Sequence, residues 1–136
     1  MNYFLDTNIC IYFLKGIYPN IKLEIEQTPP DNIKIASIVK AELLFGAENS
    51  IHKKKNLELI NKFLLPFEIV PFDDKSTNVY SKIHFELNKI EKPIGPNDLI
   101  LAATTLANKG TLVSSNAKEF LHVKNLKVIN WAQKIT

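Results

Sequence analysis

Five short apolar runs, separated by segments of helical length, constrain the fold of this 136-residue chain more than any other feature. Apolar runs this short, bounded by polar residues, are typical of buried strands. We predict strands at residues 3–5, 33–36, 67–72, 111–114 and 127–129. Strands that alternate with helices require right-handed crossovers. The pattern therefore predicts an α/β fold in three layers, with a central parallel sheet of four to five strands and helices on both faces.

Helix start and stop signals lie between the predicted strands. We predict six helices. They run from 6–8 to 16, from 19 to about 27, from 37 to about 48, from 57 to 66, from 73–74 to 93, and from 97–98 to 110. In this interpretation Ser37 is an N-cap, and Gly16 and Gly110 occupy stop positions. Residues 116–120 are predicted to form a short helical turn. The segment 99–107 is apolar almost all round, so we expect other elements to pack on several of its sides.

Length and composition limit the kind of protein that this chain can form. Its length suits one domain, and no linker or repeat divides it, so residues 1–136 are predicted to form a single domain. No apolar run is long enough to span a membrane, and no signal-like segment opens the chain. We therefore expect a soluble, cytoplasmic protein without a membrane partner. Cys10 is the only cysteine, which excludes an intramolecular disulfide, and we interpret it as a core residue.

The basic residues are unusual because all seventeen are lysine. The net charge of +3 and the pI of about 8.9 permit a polyanionic partner without requiring one. Arginine supplies the planar, bidentate donor that suits phosphate and carboxylate groups. Any step that needs such a donor must therefore take it from another molecule.

Glu42 is the most informative single residue. On a helix its neighbours three and four positions away are apolar or glycine, namely Ile38, Val39, Phe45 and Gly46. A carboxylate in an apolar stripe is costly to desolvate unless a cation or strong donors compensate it. We therefore predict that Glu42 has such a partner.

Two further acids stand where an α/β protein presents ligands. Asp6 directly follows the first predicted strand, and Asp98 opens an apolar helix. Taken alone, Asp6 is equally well explained as a helix N-cap, and Asp98 as an acid that favours the helix dipole. Gathered with Glu42 in one crevice at the carboxyl ends of the strands, the three carboxylates would repel one another unless a divalent ion held them ionised. Oxygen ligands without histidine or cysteine favour Mg²⁺ or Mn²⁺ over Zn²⁺, which suits phosphodiester hydrolysis.

The remaining charged residues are assigned smaller roles. Lys15, Lys92 and Lys118 are expected near the crevice and are candidates for contacts with backbone phosphates. The run 53–55 is interpreted as a solvated lysine cluster. The three histidines, His52, His84 and His122, are interpreted as structural or surface residues outside the crevice.

Four ordered motifs then resemble the PIN-domain ribonucleases, and most of all the VapC-type toxins. The motifs are FLDTN at 4–8, KAEL at 40–43, IGPNDLILAA at 94–103, and LVSSN at 112–116 with EF at 119–120. The similarity extends to VINW at 128–131, so it covers essentially the whole chain. By this resemblance the three-layer fold is expected to be PIN-like.

The resemblance also implies an activity and partners. It implies an endoribonuclease that uses Mg²⁺ or Mn²⁺, cuts structured RNA such as a tRNA or an rRNA loop, and inhibits translation. It further implies a homodimer and a small antitoxin whose C-terminal segment lies across the crevice. Such antitoxins commonly insert an arginine near the acids, and this chain has none of its own.

Site residues follow from the same resemblance. Asp6, Glu42 and Asp98 match the three core acids of the family, and Asp6 and Asp98 are expected to bind the metal most directly. Many members carry a fourth acid where this chain has Asn116, and Glu119 is a candidate replacement. We expect one tightly held ion, with a second entering alongside RNA phosphate. Asn116 and Thr7 are expected to orient the acids.

Two other interpretations remain open at the level of sequence. The first is a phosphatase that uses Asp6 as a nucleophile, although such sites usually carry a second aspartate where this chain has Asn8. The second is a non-catalytic module that has kept a PIN-like fold and binds RNA or a protein through its lysines. A metal-dependent cleavage assay would separate both from a nuclease.

Overall fold

A computed structural model describes residues 1–132, which form five strands and six α-helices. The strands are β1 (Tyr3–Leu5), β2 (Ile33–Ala36), β3 (Glu68–Val70), β4 (Thr111–Val113) and β5 (Lys127–Ile129). The helices are α1 (Thr7–Lys15), α2 (Pro19–Gln27), α3 (Ser37–Glu48), α4 (Lys53–Leu64), α5 (Asp74–Lys89) and α6 (Pro96–Ala107). Short 3-10 turns occupy Pro30–Asn32 and Ala117–Phe120. Residues 133–136 of the predicted single domain lie outside the described residues.

The strands form one parallel sheet in the order β3-β2-β1-β4-β5. Tyr3 of β1 is paired with Ile33 on one side and with Thr111 on the other, so β1 and β4 are neighbours at the centre. The three-layer α/β fold predicted from the sequence is confirmed. The direction of strand succession reverses between β1 and β4, and ligands collect at such a switch point.

Local signals explain most of the helix ends. Asp6 caps α1, because its Oδ1 accepts the Ile9 N–H at 2.9 Å, and Gly16 closes the helix with a φ of +69°. Asp73 caps α5 in the same way through the Ser76 N–H. The prediction that Ser37 is an N-cap was wrong. Ala36 occupies that position, and Ser37 is the first residue of α3.

Several other boundaries differ from the prediction; for example, α4 begins at Lys53 rather than at 57. Two of the differences have clear physical reasons. The third strand is shorter than 67–72, because the Phe67 N–H bonds back to the Leu64 carbonyl and Pro71 has no N–H for the ladder. After α6, the left-handed residue is Lys109, with a φ of +54°, and not Gly110. Gly110 has a different requirement, since a Cβ there would lie 2.4 Å from Cδ1 of the Phe4 ring.

The core lies between the central strands and the helices. Phe4, Leu5, Ile35, Leu112 and Val113 have no exposed surface. Helix α6 is buried on most of its sides, as predicted, through Leu99, Leu101, Ala102, Ala103, Thr104 and Thr105. Cys10 is a buried free thiol, which confirms its interpretation as a core residue. Among the described residues, no helix is both long and apolar enough to cross a membrane.

Candidate active site

The central pair of strands brings Asp6 and Ser114 together at their carboxyl ends. The Asp6 N–H donates to the Val113 carbonyl at 3.0 Å, which places the first residue after β1 beside the end of β4. Asp6 is only 8% exposed, and the Ser114 side chain lies close enough to lower the pKa of its carboxyl group. Burial raises the pKa of the Asp6 carboxyl and the charge of Glu42 raises it further, whereas the Ser114 side chain and the bond from the Ile9 N–H lower it.

Glu42 reaches the same edge from α3 and is held by two donors. Thr7 Oγ1 donates to Glu42 Oε1 at 2.6 Å, and Asn97 Nδ2 donates to Glu42 Oε2 at 3.3 Å. The predicted need for strong donors is therefore met by α1 and by the first turn of α6. The expected apolar enclosure is only partial, because Phe45 is 69% exposed and Glu42 itself is half-buried.

Asp98 lies in the first turn of α6, and its carboxyl group lies close to that of Glu119 from the second 3-10 turn. A protonated Asp98 can donate a hydrogen bond to the Glu119 carboxylate, which favours the protonated form of Asp98. Burial is the largest cause of the raised pKa of Asp98, followed by the interaction with the Glu119 carboxyl group and by the charges of Glu119, Glu42 and Asp6. Together these influences raise the pKa of Asp98 to about 7. Glu119 is thus next to the site, as the sequence suggested for a replacement acid.

The four acids come from separate segments and influence one another electrostatically. Among the described residues, the ion pairs are Lys34–Glu68 and Lys53–Glu48, so none of the four acids is paired with a basic side chain. Within residues 1–132, however, no three acidic, histidine or cysteine side chains are arranged to hold one ion.

An ion such as Mg²⁺ still fits this donor set. Mg²⁺ usually keeps several waters and is bound through one or two carboxylates, so a ready-made cage of three is not required. Asp6 and Asp98 offer oxygen ligands whose pKa values are raised first by burial and then by neighbouring acids, so their ionised forms leave a local excess of negative charge. A divalent cation would relieve that imbalance.

The predicted phosphate-binding lysines divide between two places. Lys92 and Lys118 line a hollow of about 360 Å³ together with Glu91, Glu119 and His122. Lys15 instead lines an apolar groove between α1, α3 and α4, also of about 360 Å³, that reaches Glu42. His122 is exposed, as predicted for a surface residue, and it lines the same hollow as Glu119.

The other two histidines lie against different neighbours. His84 stacks edge-on against Tyr80, with ring centroids 5.5 Å apart. His52 lies beside the lysine run 53–55, in which Lys53 pairs with Glu48 at 2.7 Å.

Asn97 and Ser114 are contact residues that the sequence did not single out as site residues. Asn97 donates its side-chain amide to Glu42, a role that we had expected of Asn116. Asn116 is exposed, and its backbone N–H donates to Ser114 Oγ at 3.0 Å. Two features of the sequence could have indicated these contacts: Asn97 directly precedes Asp98, and Ser114 directly follows a buried strand. Thr7 does contact Glu42, as expected of an orienting residue.

Comparison with known families agrees with this geometry. The family model described as "PIN domain" matches residues 3–126. The chain belongs to the PIN-domain family. The resemblance drawn from the four sequence motifs is confirmed, and the parallel sheet with acids at its carboxyl edge is the PIN fold in this chain.

Individual relatives of this PIN domain match over nearly their whole length. Ribonuclease VapC2 of Rickettsia felis is 38% identical over 135 residues, which is 96% of this chain and 98% of the relative. The tRNA(fMet)-specific endonuclease VapC of Salmonella typhimurium is 28% identical over 131 residues, with 96% and 98% coverage. Among solved structures, VapBC2 from Rickettsia felis bound to a DNA fragment from their promoter matches with a TM-score of 0.90 and 37% identity, covering 96% of this chain and 99% of that one.

Proposed function

We propose that this PIN domain is a VapC-type toxin, a divalent-metal-dependent endoribonuclease that hydrolyses phosphodiester bonds in structured RNA and so inhibits translation in the cytoplasm. The observation that carries the proposal is the gathering of Asp6, Glu42, Asp98 and Glu119 around one edge of the sheet, where none of them forms an ion pair with a basic side chain within residues 1–132. The relatives named ribonuclease and tRNA(fMet)-specific endonuclease support RNA as the substrate. We propose a tRNA or an rRNA loop as the RNA that is cut.

Different residues of the chain would bind the metal and position the acids within the site. Asp6 and Asp98 would hold Mg²⁺ or Mn²⁺, and Glu42 would act directly or through water from the position fixed by Thr7 and Asn97. A bound divalent ion supplies positive charge to the phosphodiester and lowers the pKa of the attacking water. Glu119, through its contact with Asp98, is a candidate for the acid that binds a second ion when RNA phosphate enters.

Lysines near the acids would hold the RNA backbone. Lys92 and Lys118 share a hollow with Glu119, so a phosphate bound there would lie next to the carboxyl pair. Such contacts are independent of sequence and weaken as salt is added. Lys15 borders Glu42 from the other side and would contact a neighbouring phosphate.

A small antitoxin would regulate the same site. The apolar groove lined by Ile11, Leu14, Leu43, Leu59 and Ile60 leads to Glu42 and Lys15, which suits an apolar peptide that ends at the acids. An arginine on that peptide would supply the guanidinium that this chain lacks. The related structure from Rickettsia felis is a VapBC2 complex, which supports such a partner. We also propose a homodimer, by family resemblance.

The alternatives that the sequence left open are weaker. Asp6 Oδ1 caps α1 and the side chain is almost fully buried, which suits a fixed ligand better than an aspartyl nucleophile. A non-catalytic module would bind RNA without cutting it. Holding a buried Asp6 close to Glu42 and Asp98 is costly for a domain that only binds, which favours the nuclease.

The test is cleavage of total cellular RNA with Mn²⁺, then with excess chelator, followed by sequencing of the new RNA ends. We expect a few discrete cut sites that vanish with the chelator and return with added metal. Cleavage that persists in the chelator would refute metal dependence. Binding of RNA without cutting under any metal condition would favour the non-catalytic module.

A further inference from the structure

Phe45 lies in a second hollow beside the acids, between α3 and the start of α6. The hollow measures about 510 Å³ and is lined by Thr7, Ile38, Ala41, Glu42, Phe45 and Asn97. Phe45 follows Glu42 by three residues, so the two side chains lie on one face of α3. The wall of this hollow therefore contains an acid of the site and an aromatic ring.

The ring of Phe45 is unusually free. It is 69% exposed, although a phenylalanine gains free energy when its surface is removed from water. Within residues 1–132 it stacks on no other aromatic ring and on no cation. Phe85 on α5 is comparable in exposure, at 62%, but Lys89 Nζ lies 5.4 Å from its ring centroid. Phe45 thus presents an open aromatic surface next to Glu42.

The lining chemistry indicates what the ring binds. An unpaired nucleobase offers a flat face for stacking and a polar edge for hydrogen bonds. The hollow provides Phe45 for the face, and Thr7, Glu42 and Asn97 for the edge. Its volume is within the range of pockets that hold small ligands. The groove that Lys15 borders is lined mainly by aliphatic side chains, so it suits an apolar peptide better than this hollow does.

We propose that Phe45 is the platform on which one unpaired base of the RNA stacks, which positions the adjoining phosphodiester over the acids. This inference rests on the proposed ribonuclease function. Phe45 is then a residue that determines where the RNA is cut, because a base must leave its helix or loop stack to reach it. RNA held in a continuous duplex would not engage the ring.

Matched substitutions of Phe45 test the proposal by binding. The probe is a short fluorescent single-stranded RNA, measured by anisotropy against protein that carries Asp98→Asn to prevent cutting. Stacking on an aromatic side chain is commonly worth enough that we expect Phe45→Ala to weaken binding roughly ten-fold or more. Phe45→Leu, which keeps apolar bulk without a ring, should be similarly weak, and Phe45→Trp should bind normally. Phe85→Ala is the control and should bind like its parent.

A second probe and an activity readout complete the test. Inorganic polyphosphate offers phosphate without bases, so its affinity should not change with Phe45. In otherwise wild-type protein, Phe45→Ala should raise KM and change the distribution of cut sites. Equal RNA binding by the Ala, Leu and Trp variants would overturn the proposal. So would a loss confined to binding of a partner peptide, which would assign the hollow to protein.

Failure of the inference and failure of the proposed function give different results. If wild-type protein cuts RNA and the Phe45 variants match it in KM and in cut sites, only the stacking proposal is wrong. If wild-type protein does not cut RNA with Mn²⁺, the nuclease proposal is wrong, and the anisotropy measurement still decides whether Phe45 stacks on a base.

Discussion

The interior of the sheet is tightly packed with apolar side chains, whereas its carboxyl edge holds acidic side chains close together. In the interior, Phe4 and Leu112 are fully buried, and Gly110 leaves no space beside the Phe4 ring. At the edge, Asp6 and Asp98 are held where burial and neighbouring acids raise their pKa values. The interior therefore contributes stability, whereas the acids at the edge repel one another until a cation binds. A substitution at the edge should lower activity without lowering stability, whereas a substitution in the interior should lower stability without lowering the activity of the folded molecules.

The largest expected effect is that of Asp98→Asn at the edge. Loss of a metal-binding charge should reduce RNA cleavage by roughly a thousandfold or more, because metal stabilisation is worth several kcal/mol. The same change removes a repelled carboxylate, so at pH 8 without metal the variant should unfold at an equal or slightly higher temperature. Cleavage rates and thermal unfolding measure the two effects.

Asp74→Asn is the matched control, since Asp74 is also an acid in the first turn of a helix. It should retain both activity and stability. An Asp98→Asn variant that still cuts RNA at a normal rate would contradict the assignment of the site.

Gly110→Ala should have the next largest effect, with the opposite sign in stability. Its Cβ would overlap the Phe4 ring, which is packed on all sides, and overpacking of this kind costs about 1–3 kcal/mol. Urea denaturation should show the loss, while cleavage per folded molecule stays normal. Gly46→Ala provides the comparison, because a Cβ there meets nothing within 4 Å and should not destabilise. Unchanged stability of Gly110→Ala would show that the interior tolerates more than its packing indicates.

The smallest effect concerns pH. The pKa of Asp98 is about 7 in the folded protein, above its ordinary value of 3.8, so the folded state binds more protons between those values. Stability without metal should therefore fall as pH rises from about 4 to about 7, by an amount on the order of 1 kcal/mol once solvent screening is allowed for. The raised pKa of Asp6 adds a contribution of the same sign.

Glu119→Gln should flatten this pH dependence, because it removes the nearest like charge and leaves an amide that can donate to Asp98. The measurement is the unfolding temperature across that range for both proteins. A profile that rises with pH, or one that Glu119→Gln leaves unchanged, would contradict the repulsion between the acids at the edge.

Much of the fold was predictable because its signals are local. Apolar runs and helix caps such as Asp6 and Gly16 depend on residues close in sequence, and the order of elements then limits the topology. The neighbourhood of Asp6 and Glu42 followed from the rule that parallel strands gather their carboxyl ends. Both predictions used information that lies within a few residues or in a general rule of topology.

The misplaced details depend on packing between distant segments. Whether Asn97 or Asn116 contacts Glu42 is decided by how α6 meets α3, which no local pattern encodes. His122 lines the same hollow as Lys92 and Lys118 because of the path that the chain takes after the second 3-10 turn. Gly110 resembled a helix stop in sequence, but its requirement comes from Phe4, more than a hundred residues away.

The carboxyl group of Asp6 belongs both to the cap of α1 and to the proposed reaction centre. One of its oxygens accepts the Ile9 amide proton, so an ion bound to this group would also act on the first turn of α1. Hydrogen exchange at that single amide should therefore change when an ion occupies the centre. One backbone resonance would then measure metal binding directly, without any RNA present.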